Sequence, residues 1–202
     1  MNLPQDSITT INDLETLKVI SDPLRLNILQ IVRDTNRRGE PCSVKQIAEV
    51  LDMPPAKLYY HVRLLEKHDL LQVADTRLVS GIVEKRYRVR ALQFNLSSDL
   101  LADPASSGSI TAMCANLFNN TLKEIGASLD RHGNEAFQRR FSLSTYRLAL
   151  TPERLQALNR QLEGVLKEYI QTSTDEDKES PDLFSMLLVT YPLEMMHRQE
   201  AN

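Results

Sequence analysis

The sequence predicts a mainly α protein with small β elements, an α+β fold. Three observations predict it. Apolar residues recur at helical spacing through residues 14–68, 109–131 and 152–170. Residues 70–90 switch to β-forming residues on both sides of Ser80-Gly81, the pattern of a hairpin. Two short apolar runs, 141–150 and 183–191, flank the last helical pattern and read as strands.

The elements follow in order. Asn12 or Asp13 can cap a first helix whose apolar positions are Leu14, Leu17, Val19 and Ile20. Asp22-Pro23 restarts a helix, with Leu24, Ile28, Leu29, Ile31 and Val32 as its stripe, and the polar stretch from Asp34 to Gly39 reads as the loop that ends it. Ser43 caps a third helix that turns Val44, Ile47, Ala48 and Leu51 inward. Asp52-Met53-Pro54-Pro55 is a turn, because two prolines cannot continue a helix but can begin one. A fourth helix runs from Ala56 to about His68, with Leu58, Val62 and Leu65 on its inner face. The hairpin comprises Leu70–Val79 and Ile82–Arg90.

The Ser/Pro/Gly stretch 97–108 reads as a linker between a first domain, 10–96, and a second, 109–202. A long helix runs from Ser109 to about Arg131, and Gly133-Asn134 closes it. The strand 141–150 leads to Thr151-Pro152-Glu153, a helix start with a cap, a first-turn proline and an acid at the positive end of the dipole. Its helix reaches about Ile170. An acidic loop, 172–182, precedes the final strand.

Composition bounds the function. With 42% apolar and 25% charged residues, 202 residues form an ordinary soluble globular protein of one large or two small domains. No run of 18 apolar residues exists, so no membrane partner is expected. The N-terminus MNLPQDSITTINDLE has neither the basic start nor the apolar core of a secretion signal. Two isolated cysteines, Cys42 and Cys114, fit a reducing cytoplasm. Gly-rich phosphate loops, G-x-S-x-G and H-E-x-x-H are absent, so neither enzymatic activity nor a cofactor is expected.

The net charge of −3 hides an asymmetry. From Pro54 to Arg90, Lys57, Arg63, Lys67, Arg77, Lys85, Arg86, Arg88 and Arg90 stand against Glu66, Asp69, Asp75 and Glu84. That segment is therefore +4 and the remainder −7. A helix, a tight turn, a second helix with a basic and aromatic outer face and a basic hairpin together make a winged helix-turn-helix. This arrangement presents one helix to the major groove of double-stranded DNA. The candidate contacts on that helix are Lys57, Tyr59, Tyr60 and Arg63, whose side chains can donate to base edges and phosphates. Along the wing they are Thr76, Arg77, Lys85 and Arg86. Arg86, Arg88 and Arg90 share one strand face, and Arg88 and Arg90 serve equally well as partners for acids of the body. A winged helix that binds protein instead of DNA is the rival reading.

The segments DPLRLNILQIV and PPAKLYYHVRLLEKHDLL, with the hairpin after them, resemble the ArsR-type winged-helix transcriptional regulators over about residues 10–92. The resemblance implies a homodimer that binds a palindromic operator, often as a repressor. It implies recognition-helix roles for Ala56, Lys57, Tyr59, Tyr60, His61 and Arg63. The metal-sensing members carry a C-x-C pair on the helix before the turn. Here those positions are Ser43 and Lys45, so no metal site is expected at Cys42. The segments TPERLQALNRQLEGVLKEYI and LFSMLLVTYPLE are similar to C-terminal halves found on some winged-helix regulators, which implies no particular ligand.

Two recognition helices must stand ~34 Å apart on an operator, so the chain needs a dimer element. The long helix supplies one, with Ile110, Met113, Leu117, Phe118, Leu122 and Ile125 as its candidate contacts. The C-terminal half is then a dimer platform or the sensor of an unknown small-molecule effector, for which Arg139, Arg140, Tyr146, Arg147 and Tyr191 are candidates.

Overall fold

The computed structural model describes residues 8–37, 39–91, 93–138, 140–171 and 184–193. The chain forms two compact units, Met1–Ala127 and Ser128–Asn202.

The first unit holds the core. Strand β1 (Ile8–Ile11) is followed by α1 (Leu14–Ile20) and α2 (Pro23–Arg37). Asp13 caps α1 by accepting the Thr16 N–H at 2.7 Å, and that bond holds its carboxyl below the usual range. The two-residue β2 (Cys42–Ser43) precedes α3 (Val44–Leu51) and α4 (Pro55–Lys67). The wing is β3 (Leu71–Val79) and β4 (Ile82–Val89). These strands form an antiparallel sheet in the order β2-β4-β3. Leu17, Ile28, Ile47, Leu58, Val62, Leu65 and Leu70, drawn from the helices and the start of the wing, are almost wholly buried together.

Several elements depart from the sequence-based reading. The polar stretch after Val32 does not end α2, which continues to Arg37. Asn36 is buried there because the backbones of the wing and of the loop before β2 satisfy its amide: its Oδ1 accepts the Val89 N–H at 2.8 Å and its Nδ2 donates to the Glu40 carbonyl at 2.9 Å. Strand β1 pairs in parallel with β5 (Gln93–Leu96), a ladder joining segments more than 80 residues apart that no local pattern announces.

The stretch 97–108 is folded, not an extended linker. Ser97 caps α5 (Ser98–Ala102) by accepting the Leu100 N–H, and Pro104–Ser106 forms a 3-10 turn. Leu100 and Ser106 are buried, so tertiary contact orders a segment whose composition suggests a loop. Helix α6 then runs through Ser107–Gln138, past Gly133-Asn134.

In the second unit, α7 (Pro152–Gln171) starts where its signal places it, with Thr151 Oγ1 accepting the Arg154 N–H at 3.4 Å. The flanking strands do not form among the described residues. Segments 141–150 and 184–193 carry no ladder, and nearly every residue in them is exposed. A strand needs a second strand to take its N–H and C=O groups, and none pairs with these two among the described residues. Arg139, the acidic loop 172–182 and Leu183 lie outside the described residues. Tyr146 and Tyr191 of the proposed effector set are exposed.

Candidate nucleic-acid interface

The turn between α3 and α4 is built from capping and backbone geometry. Ser43 and Gln46 form a capping box: Ser43 Oγ accepts the Gln46 N–H at 3.3 Å, and Gln46 Oε1 accepts the Ser43 N–H at 2.9 Å. At the other end Asp52 adopts a left-handed conformation (φ 49°) and the Met53 N–H donates to the Ala48 carbonyl at 3.0 Å. Pro54 stands at the cap of α4 and Pro55 in its first turn.

Burial of Leu58, Val62 and Leu65 fixes the rotation of α4. The opposite face presents Ala56, Lys57, Tyr59, Tyr60 and Arg63 to solvent, with Tyr60 at 67% exposure. His61 departs from this set. Its ring is half-buried, with Nδ1 4.0 Å from an Asp22 carboxylate oxygen at the start of α2. The ring therefore turns toward α2, beyond hydrogen-bond distance of that oxygen, and does not share the outer face.

The wing turns at Ser80 and Gly81, both at positive φ, the geometry of a tight hairpin. Its register opposes Thr76 to Lys85, Arg77 to Glu84 and Asp75 to Arg86. Side chains alternate between faces, so Lys85 and Tyr87 share one face and Arg86 and Arg88 the other. The first face is turned to α4. Glu66, near the end of α4, accepts from Lys85 Nζ at 3.0 Å and from the Tyr87 hydroxyl at 3.5 Å. Burial first, and then the Glu66 charge, push the Tyr87 hydroxyl up to about 12. Thus Glu66, which in the sequence looks like a solvated helix edge, joins the outer helix to the base of the wing. A long-range contact of this kind leaves no spacing signal.

Of the wing candidates, Thr76, Arg77 and Lys85 are exposed. Arg86 is not. Its side chain is 7% exposed, donating to the Pro41 carbonyl at 2.7 Å and pairing with Asp75 at 3.3 Å. It anchors β4 beneath the loop before β2 and is corrected from a DNA contact to a structural residue. Arg88 donates to the Gly39 carbonyl at 2.8 Å and Arg90 pairs with Asp69 at 3.5 Å, so both are engaged with the body. Arg86→Ala is expected to lower stability by about 2–3 kcal/mol, because it leaves a buried carbonyl unpaired. Arg77→Ala is expected to leave the thermal midpoint where it is. A melting curve of each variant checks both, and equal midpoints would return Arg86 to the surface set.

Neither cysteine is freely exposed. Cys42 is buried, its thiol pushed up by that burial, and Cys114 is half-buried on α6. Among the described residues no three His, Cys, Asp or Glu side chains group as metal ligands, and no helix is long and apolar enough to cross a membrane.

Residues 20–74 match the family model of a helix-turn-helix domain. That span covers α2, α3, α4 and the beginning of β3, while most of the wing and the whole of α6 and α7 fall outside it. No curated protein matches the chain. The chain carries a helix-turn-helix domain of the kind used by DNA-binding regulators, with α4 as its second helix.

Proposed function

We propose that the protein is a sequence-specific transcriptional regulator of the ArsR-like winged-helix kind. It acts in the cytoplasm as a homodimeric repressor on a palindromic operator. Helix α4 enters the major groove with Lys57, Tyr59, Tyr60 and Arg63, and the wing lies along the adjacent backbone with Thr76, Arg77 and Lys85. The observation that carries this reading is the Glu66 junction, which ties the exposed face of α4 and the Lys85 face of the wing to one side of the domain.

The proposed dimer is built on α6. Two of its candidate contacts, Ile110 and Met113, pack against the core of the same chain and are withdrawn from that role. Phe118 and Leu122 remain exposed, and Leu117 and Ile125 are half-buried.

The test is DNA binding as a function of salt, on duplexes that the full chain selects from a random pool. Phosphate neutralisation predicts a steep fall of affinity with salt. Arg63→Ala is expected to weaken binding to the selected site by roughly 1–3 kcal/mol and to relax its sequence preference. Arg77→Ala is expected to weaken binding to all duplexes alike and to reduce the salt slope by about one. If binding is insensitive to salt and unchanged in both variants, the domain is a protein-binding winged helix instead.

A further inference from the structure

The tip of the wing is apolar. Leu78, Val79, Ile82 and Val83 surround the Ser80-Gly81 bend at 74%, 49%, 73% and 65% exposure. The hairpin leaves the core early, and every residue of β3 from Val73 onward is exposed. Phosphate contact alone would be served by polar or basic side chains there.

The register sorts these residues. Leu78 lies opposite Val83, and both share the face of Lys85 and Tyr87, the face turned to α4. Val79, Ile82, Arg77 and Glu84 occupy the other face. Between the tip and Glu66, the α4-facing side of the hairpin therefore carries Thr76 and Lys85 and no carboxylate. The wing's acids, Asp75 and Glu84, point the other way. Lys85 is paired with Glu66 at 3.0 Å, so what this side of the hairpin offers a groove is an exposed apolar tip with no carboxylate of its own strands beside it to repel phosphates.

We infer that Leu78 and Val83 form a wedge that enters the minor groove beside the segment read by α4 and partly unstacks one base step, bending the duplex. This rests on the DNA reading proposed above. Size favours DNA over a protein partner: four aliphatic side chains on a hairpin tip fall far short of the ~800 Å² per partner of a stable protein interface. One or two apolar side chains suffice to open a base step, since the bend is repaid by further contact along the duplex.

The experiment uses the full chain and a duplex it selects from a random pool, resynthesised with 2-aminopurine at successive flanking positions. The wild type is expected to raise fluorescence at one flanking step and to bend the duplex in a circular-permutation gel. Leu78→Ser with Val83→Ser is expected to lose both signals and to bind roughly ten-fold more weakly. Its melting curve is expected to stay unchanged, since both side chains face solvent. A double variant that still bends and unstacks the duplex overturns the wedge and leaves the DNA reading intact. Selection that yields no duplex overturns both. A variant that keeps the DNA signals but sediments differently from wild type overturns the wedge and makes the tip a contact between copies.

Discussion

Phe118→Glu combined with Leu122→Glu is expected to give a folded monomer whose operator affinity is lower by roughly a hundred-fold. The two residues lie one helical turn apart on α6 and are 46% and 66% exposed. The opposite side of the helix fastens it to the rest of its unit. Asn116 donates to the Ser21 carbonyl and Asn120 to Asn27, each at 2.7 Å, while Ile110 and Met113 pack on the core. Glutamates at 118 and 122 therefore meet solvent in an isolated chain and spare the fold, but they place like charges against each other across a two-fold interface. A single winged helix reads one half-site, so without its second copy it loses the gain of having both halves bound at once. Sedimentation velocity and gel-shift titration measure the two effects. A variant that stays dimeric would move the interface away from this stripe.

Asn36→Ala is expected to lower stability by about 2–3 kcal/mol. Asn36 is 1% exposed, a polar side chain among the largest fully buried ones of the described residues. Its amide does work that no backbone partner does. The Val89 N–H donates to it at 2.8 Å, and it donates in turn to the Glu40 carbonyl at 2.9 Å. Alanine leaves the buried Val89 N–H without its acceptor and the Glu40 carbonyl without its donor. The loss should appear in urea denaturation as a lower midpoint at constant slope. A change under about 0.5 kcal/mol would mean that water replaces the amide. Since Asn36 grips the end of β4, a loosened wing with weaker DNA binding should accompany the loss.

The helices of the first unit were legible because each is announced locally. Ser43 is a cap, Pro54-Pro55 can only end or begin a helix, and Leu58, Val62 and Leu65 repeat at the period of a buried stripe. The hairpin was legible for the same reason, since Ser80-Gly81 suits the positive φ that a tight bend demands. The outer face of α4 followed from its inner face by subtraction, and Tyr59, Tyr60 and Arg63 stand where that subtraction puts them. His61 did not follow, because a position at the border of two faces is decided by what the neighbouring helix offers, here Asp22.

The sequence by itself determined the order of helix, turn, helix and hairpin, since caps, prolines and periodicity act over a few residues. Tertiary structure decided which charges are available to a partner. Arg77 and Arg86 look alike along the strand and share one face of the hairpin, yet Arg77 lies toward the exposed tip while Arg86 lies at the base, where the Pro41 carbonyl and Asp75 take its guanidinium. It also decided that Asn36 and residues 97–106 are ordered, and that 141–150 and 184–193 carry no ladder. The physical reason is common to all of these. A polar or strand-forming residue settles only when a hydrogen-bond partner is supplied, and that partner comes from a part of the chain that local pattern does not reach.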